Sequence, residues 1–266
     1  MIPRPLRIRP GTLAALAMFG GLVLVLSHLG LADGPLLVRG GRNIGIFARD
    51  LVPPDASVLP RVAGAMVETI EIAFAGTMLG FIGALPLALA ANDTVSGRPV
   101  AGAVRMFLAL IRTIPALLWA ILFVVAVGLG ARAGVLGLAM YSMGYMGKLF
   151  ADAFDDIDPE VVEAVRGVGV GRLQLARFAI LPEAANAVLA QTLFVFEYNV
   201  RASSILGFVG AGGIGFYLLG YVQSLQYDRL MMAILVTFAA VVVIDQASVR
   251  VRRRFLSAAA HASARP

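Results

Sequence analysis

Residues 152–182 read DAFDDIDPEVVEAVRGVGVGRLQLARFAILP, and the placement of this stretch decides the fold. Asp158, Pro159 and Glu160 form a helix start: an N-cap carboxylate, a proline at the first helical position where its missing N–H costs nothing, and an acid in the first turn. The helix begun there breaks at Gly167, Gly169 and Gly171, resumes from Leu173 to Ile180, and is expected to stop at Leu181-Pro182. Such a helix–turn–helix carries too many charges to cross a bilayer. It is expected to lie against the membrane on one side.

The flanking sequence is of another kind. A bilayer core of about 30 Å needs roughly 20 apolar residues in helix. The runs Ile72 to Ala91 and Thr113 to Ala131 carry no charge, and Thr12 to Ala32 is interrupted only by His28. Ala133 to Gly147 and Leu230 to Ile244 are shorter and span only with flanking polar residues included. Ala184 to Tyr227 holds one span and something more, with Glu197, Arg201 and a glycine cluster. The sum is six spans in an all-α membrane protein. Residues 1–66 are expected to form an anchor helix and outer loop, 67–250 the transmembrane domain, and 251–266 a basic cytoplasmic tail. The loop from Asp33 to about Glu68, with Pro53-Pro54 and Pro60, is expected to be irregular with short helical pieces. Arg4, Arg7 and Arg9 before an apolar stretch ending at Gly30-Leu31-Ala32 have the shape of a cleaved signal. The apolar stretch is longer than the ~7–15 residues of such a signal, which favours an uncleaved anchor.

Composition agrees. The chain of 266 residues is 59% hydrophobic and 14% charged, with mean hydropathy +0.87, whereas a soluble domain is about a quarter charged. No cysteine occurs, so disulfides and thiolate metal sites are excluded. The net charge of +6 is not a nucleic-acid signal, because the arginines sit at the ends of apolar runs. With the N-terminus inside, 14 of the 22 Lys and Arg fall on the inner side: Arg4, Arg7, Arg9, Arg98, Arg105, Lys148, Arg166, Arg172, Arg177, Arg250, Arg252, Arg253, Arg254 and Arg265. Arg39, Arg42, Arg49, Arg61, Arg132 and Arg229 fall outside, and Arg112 and Arg201 at membrane depth. Both termini are expected in the cytoplasm, and the basic run at Arg250–Arg254 reads as ordinary positive-inside bias or contact with anionic lipid.

Glu163, Ala164, Gly169, Leu181 and Pro182 stand in the register of the signature loop of ABC importer permeases, and the 152–182 segment resembles that loop. Val165 and Ala179 depart from the pattern, both as small apolar exchanges. The run Phe196 to Arg201, then Ile205-Leu206-Gly207 and Gly210 to Phe216, is similar to phosphonate-type permeases, as are Arg112-Thr113-Ile114-Pro115, Glu68-Thr69 and Gly76-Thr77. The resemblance covers roughly Glu68 to the C-terminus. It implies a methionine-permease-like fold, and a coupling helix over Glu163 to Gly169 that seats in a cytoplasmic ATPase. It also implies a periplasmic solute-binding protein, a second permease copy and location in the cell inner membrane. The implied cargo is phosphonate, with phosphite, phosphate or another small oxyanion as alternatives. No G-x-x-x-x-G-K-[ST] phosphate loop occurs, so hydrolysis of ATP belongs to another subunit and no cofactor is expected.

The remaining signals have competing readings. Gly210, Gly212 and Gly215 match G-x-G-x-x-G, but a dinucleotide site needs a strand before it and an acid about 20 residues on. With Gly213, these glycines are expected to form a tight re-entrant turn beside the transport path. Glu197 and Arg201, four apart on a helix, are expected to neutralise each other. An unpaired Arg112 or Arg201 facing a cavity would attract an oxyanion. The cluster Asp152, Asp155, Asp156 and Asp158 also suits a magnesium-dependent membrane transferase, but the helix start accounts for Asp158 and Glu160 without metal. His28 and His261 have no ligand neighbours at metal spacing, so no metal site is expected.

Overall fold

The computed structural model describes residues 10–31 and 33–263, with side chains described for 11–31 and 33–254. Arg4, Arg7, Arg9, Ala32, Arg265 and the side chain of His261 lie outside the described residues. Every regular element among the described residues is helical. The chain divides into two compact units, Met1–Pro53 and Pro54–Pro266.

The first unit holds α1 (Pro10–His28) and α2 (Gly34–Asp50). No residue of the Gly11–His28 stretch is buried in the protein, as suits a helix solvated by lipid. The expectation of an irregular segment after it is corrected, since α2 is a regular helix of 17 residues. Its proline, Pro35, sits in the first turn where it is tolerated, and Pro53-Pro54 lie beyond its end.

The second unit opens with a 3₁₀ turn at Ala56–Val58, capped by the Asp55 carboxylate, which accepts from Ser57 N–H at 2.8 Å. α3 (Leu59–Ala90) follows with Pro60 in its first turn, so it starts well before the expected Ile72. After the short α4 (Asp93–Ser96) come α5 (Arg98–Thr113) and α6 (Ala116–Val127). The expected single span Thr113 to Ala131 is thereby corrected. α5 and α6 meet at 83°, because Pro115 holds Ile114 in extended backbone (φ −85°, ψ 119°) and stops the helix.

α7 (Ala131–Asp155) outgrows the expected Ala133 to Gly147, carried past its apolar part by the Lys148–Asp152 ion pair one turn apart. It is the centre of the bundle, with α3 running parallel to it and α5–α6 antiparallel. A Cβ on Gly76 or Gly80 of α3 would lie 2.6 Å from the Cβ of Leu138 or Ser142. On the other face Gly137 and Gly144 pack as tightly on Ala120 and Ile111. Small residues admit this approach where water supplies no hydrophobic drive between helices.

α8 (Pro159–Gly167), α9 (Arg172–Leu175), α10 (Leu181–Leu206), α11 (Ile214–Gln223) and α12 (Tyr227–Ser263) complete the chain. The expected stop at Leu181-Pro182 is corrected. Pro182 cannot donate to the carbonyl one turn back, and the chain widens instead into a π turn over Ala176–Ile180, where Leu181 N–H reaches Ala176 O. Helix therefore continues from Arg172 to Val209. Likewise the basic run Arg250–Arg254 is part of α12.

Among the described residues four helices are long and apolar enough to cross a membrane: Gly11–His28, Ala56–Ala90, Arg172–Val209 and Tyr227–Arg254. Counting the bent α5–α6 pair makes five. α7 is less apolar, yet it accompanies α3 from the Ile72–Gly134 contact to the Asn92–Phe154 hydrogen bond, a rise of about 30 Å. It covers that length packed among its neighbours, with most of its residues buried or half-buried.

Candidate coupling surface and transport path

Asp158 caps α8 as its sequence predicts, accepting from Glu160 N–H at 2.9 Å. α8 buries none of its residues. Glu163, Ala164 and Gly169 are exposed, and Gly169 takes φ +81° with its N–H donating to Arg166 O at 2.9 Å. An added Cβ there meets nothing within 4 Å. Around this turn Val168, Leu173 and Phe178 are 78%, 82% and 62% exposed, an apolar rim next to Arg166, Arg172 and Arg177. Leu181 and Pro182 sit where the second arm enters α10. The turn is thus the head of one continuous helical lever.

Behind α8 lies a cavity of about 390 Å³, walled on one side by Val162, Glu163 and Arg166 and on the other by an ion cluster. Arg105 centres that cluster. Its Nε donates to Ala91 O at the end of α3 (2.9 Å), and its Nη2 donates to Asp155 at the end of α7 (3.0 Å) and lies 3.5 Å from Asp93. Asn92 also donates to Asp155 at 2.9 Å. One guanidinium therefore joins the C-terminal ends of α3 and α7 to the start of α4. Of the four acidic residues that suggested a transferase, three are engaged by the protein: Asp152 by Lys148, Asp155 by Arg105 and Asn92, and Asp158 as a cap. Among the described residues no three His, Asp or Glu converge to hold a metal ion.

The pairing of Glu197 with Arg201 is corrected. Glu197, nearly buried, accepts from Arg252 at 3.0 Å, and Arg201 pairs with Asp245 at 3.1 Å. Both side chains face the antiparallel α12 rather than each other, so two ion pairs clamp α10 to α12. Arg201 is therefore not an unpaired cation. Arg112 is exposed and its backbone lies against Gly144, halfway along α7, at the α5–α6 break. There Ile111 O, which Pro115 cannot donate to, accepts from both Ile114 N–H and Trp119 Nε1 at 3.3 Å. A groove of about 330 Å³ runs from the start of α6 along Tyr198 and Arg201.

Gly210, Gly212 and Gly213 have φ +81°, +84° and +74°, and the turn they make is packed inside protein. Gly130 N–H donates to Gly210 O at 2.7 Å, and Ile214 N–H to Thr69 Oγ1 at 2.8 Å. A Cβ on Gly215 would fall 2.1 Å from Ser204 O. Sequence reasoning missed Arg105, Asp245 and Asn199. Asn199 is wholly buried and donates to Thr77 (2.8 Å) and Ser142 (2.7 Å), tying α10 to α3 and α7. A carboxylate or amide inside an apolar run was the available signal, since such groups demand partners.

The family described as "Binding-protein-dependent transport system inner membrane component" matches residues 76–257. The phosphite transport system permease protein PtxC of Stutzerimonas stutzeri is 36% identical over 239 residues, 90% of this chain and 87% of that protein. The phosphate-import permease protein PhnE of Mycolicibacterium smegmatis is 37% identical over 216 residues, 80% of this chain and 40% of that protein. An inward-facing structure of the MetNI methionine ABC transporter superposes with TM-score 0.66 at 24% identity, over 75% of this chain and 98% of that one.

Proposed function

Because the chain belongs to the family of binding-protein-dependent transport system inner membrane components, we propose that it is the permease subunit of an ATP-driven importer of a small phosphorus oxyanion. Phosphonate, phosphite and phosphate share the tetrahedral, anionic group that such a path must pass. The observation that carries this reading is the α8 turn, exposed with an apolar and basic rim at the end of a lever running unbroken into the membrane. Such a head fits a groove on a cytoplasmic ATPase. Closure of two ATPases on nucleotide would push it, and two copies of the chain would rock between inward- and outward-open states. Both termini then lie in the cytoplasm, and a periplasmic binding protein delivers cargo opposite.

The broken α5–α6 pair is the natural place for the anion. Discontinuous helices at mid-membrane present a positive helix start to anionic cargo in transporters. Arg112 adds a full charge beside that start, and Arg201 contributes little because Asp245 neutralises it. Gly169→Asp tests the coupling reading by placing a charge on the head of the lever without touching the bundle. Desolvating it on docking costs about 2 kcal/mol or more, so uptake falls about tenfold or more, with membrane level unchanged and less ATPase co-purifying. Normal uptake with normal ATPase capture overturns the assignment. Competition among phosphonate, phosphite and phosphate in the parent transporter then ranks the cargo.

A further inference from the structure

We propose that α2 lies flat in the membrane interface and docks on anionic lipid headgroups, holding the first unit to the bilayer. The family match begins at residue 76, so α2 stands outside it. Its position follows from α1. A helix apolar all round and exposed along its whole length belongs in lipid, and only the residues between His28 and Gly34 separate its end from α2. α2 must start at the surface where α1 emerges.

At 100° per residue, Leu36, Leu37, Ile44 and Ala48 fall on one side of α2 with Gly40 and Gly41. Arg39, Arg42 and Arg49 fall together within one arc on the other. α2 buries no residue, with Leu37 56% and Ile44 70% exposed. None of the three arginines forms an ion pair among the described residues, and Arg39 only donates its Nε to Pro35 O at 3.2 Å. A wide apolar side and a face of three cations with Asp50 beside it is the pattern of a helix that sinks one side into acyl chains and sets the other among phosphates. The four outer-segment arginines, Arg39, Arg42, Arg49 and Arg61, weigh against a simple positive-inside count. A lipid-bound helix accounts for three of them.

The chain has no cysteine, so single labels are clean. Ile44→Cys and Ile46→Cys put an environment-sensitive fluorophore two residues apart on opposite sides, Ile46 lying among the arginines. The full-length variants are reconstituted in phosphatidylcholine vesicles with and without phosphatidylglycerol. Quenching by doxyl-labelled acyl chains is expected to be about threefold greater at position 44 than at 46, with aqueous iodide giving the reverse. Phosphatidylglycerol should enlarge the difference, and Arg39, Arg42 and Arg49 changed together to Gln should remove that enlargement. Equal aqueous quenching at both sites overturns the proposal. So does position 44 shielded from iodide without doxyl quenching, because protein then covers it, and so does shielding that arises only when the solute-binding protein is added.

Discussion

Two glycine turns punctuate the second unit, and they use the same backbone for opposite ends. At the turn after α8, Gly169 takes φ +81° with open space where a side chain would be. At the turn after α10, Gly210, Gly212 and Gly213 take nearly the same φ, but protein occupies the place of each missing side chain. Added Cβ atoms would come 2.2 Å from Leu129, 2.9 Å from Glu68 and Ala131, and 2.5 Å from Thr69. Positive φ alone therefore does not say what a glycine is for. The filled turn is a joint that fixes α3, α7, α10 and α11 to one another, whereas the open turn leaves its surface for another molecule.

The largest expected effect breaks the filled turn. Gly215→Ala drives a methyl into Ser204 O and Gly207 Cα at 2.1 and 2.9 Å, both backbone atoms that cannot swing away. Overpacking of this kind costs about 3 kcal/mol, read as a lower melting temperature and less protein in the membrane. Gly169→Ala meets no atom and bears only the left-handed backbone, about 1–2 kcal/mol at most. Equal losses in the two variants would erase the distinction between the turns.

The sequence made the open turn legible and the filled one only in part. The 152–182 segment announces itself through local chemistry: Asp158-Pro159-Glu160 starts a helix by rules that need no tertiary context, and Gly169 stops it. Its far end is not legible locally, because the missing N–H of Pro182 is absorbed in a π turn whose Leu175, Ala176, Ala179 and Ile180 are buried in the bundle. The break at Ile114-Pro115 was visible as a proline but was outvoted by apolarity. Glu197 and Arg201 show the limit most clearly. Helical spacing made them neighbours, and only the path of α12 reveals that Arg252 and Asp245 are their partners. Long-range pairing of that kind leaves no local trace.

Those two ion pairs sharpen the comparison between sealed and open surroundings at a smaller scale. Glu197 keeps 8% of its side chain exposed, so Arg252→Gln strands a carboxylate away from water and costs about 2 kcal/mol. Arg201 and Asp245 are each nearly half exposed, and Arg201→Gln costs less than about 1 kcal/mol. Thermal unfolding in detergent separates them. Exchange of Glu197 and Arg252 for one another should recover part of the first loss, and failure of Arg252→Gln to exceed Arg201→Gln would remove burial as the deciding variable.

The smallest effect concerns Asp55, at the entry to α3, where Arg229 Nε donates to its carboxylate at 3.1 Å and ties α12 to the start of the second unit. Hydrogen bonds from Ser57, through its hydroxyl and then its backbone N–H, hold the Asp55 carboxyl below the ordinary aspartate value. Arg229 acts in the same direction, and partial desolvation opposes them. A carboxyl whose folded pKa is depressed stabilises the fold when ionised. That contribution is complete above the unfolded-state value of 3.8 and disappears as pH falls through the lower folded-state value. Asp55→Asn should therefore reduce the melting temperature slightly at neutral pH and lose that difference from the parent in strong acid below pH 3.8. Raising ionic strength should shrink the Arg229 share while leaving the Ser57 share, because salt screens an exposed charge pair far more than a short hydrogen bond at a turn. A difference between Asp55→Asn and parent that persists unchanged into strong acid would mean the residue acts through shape at the 3₁₀ turn and not through its charge.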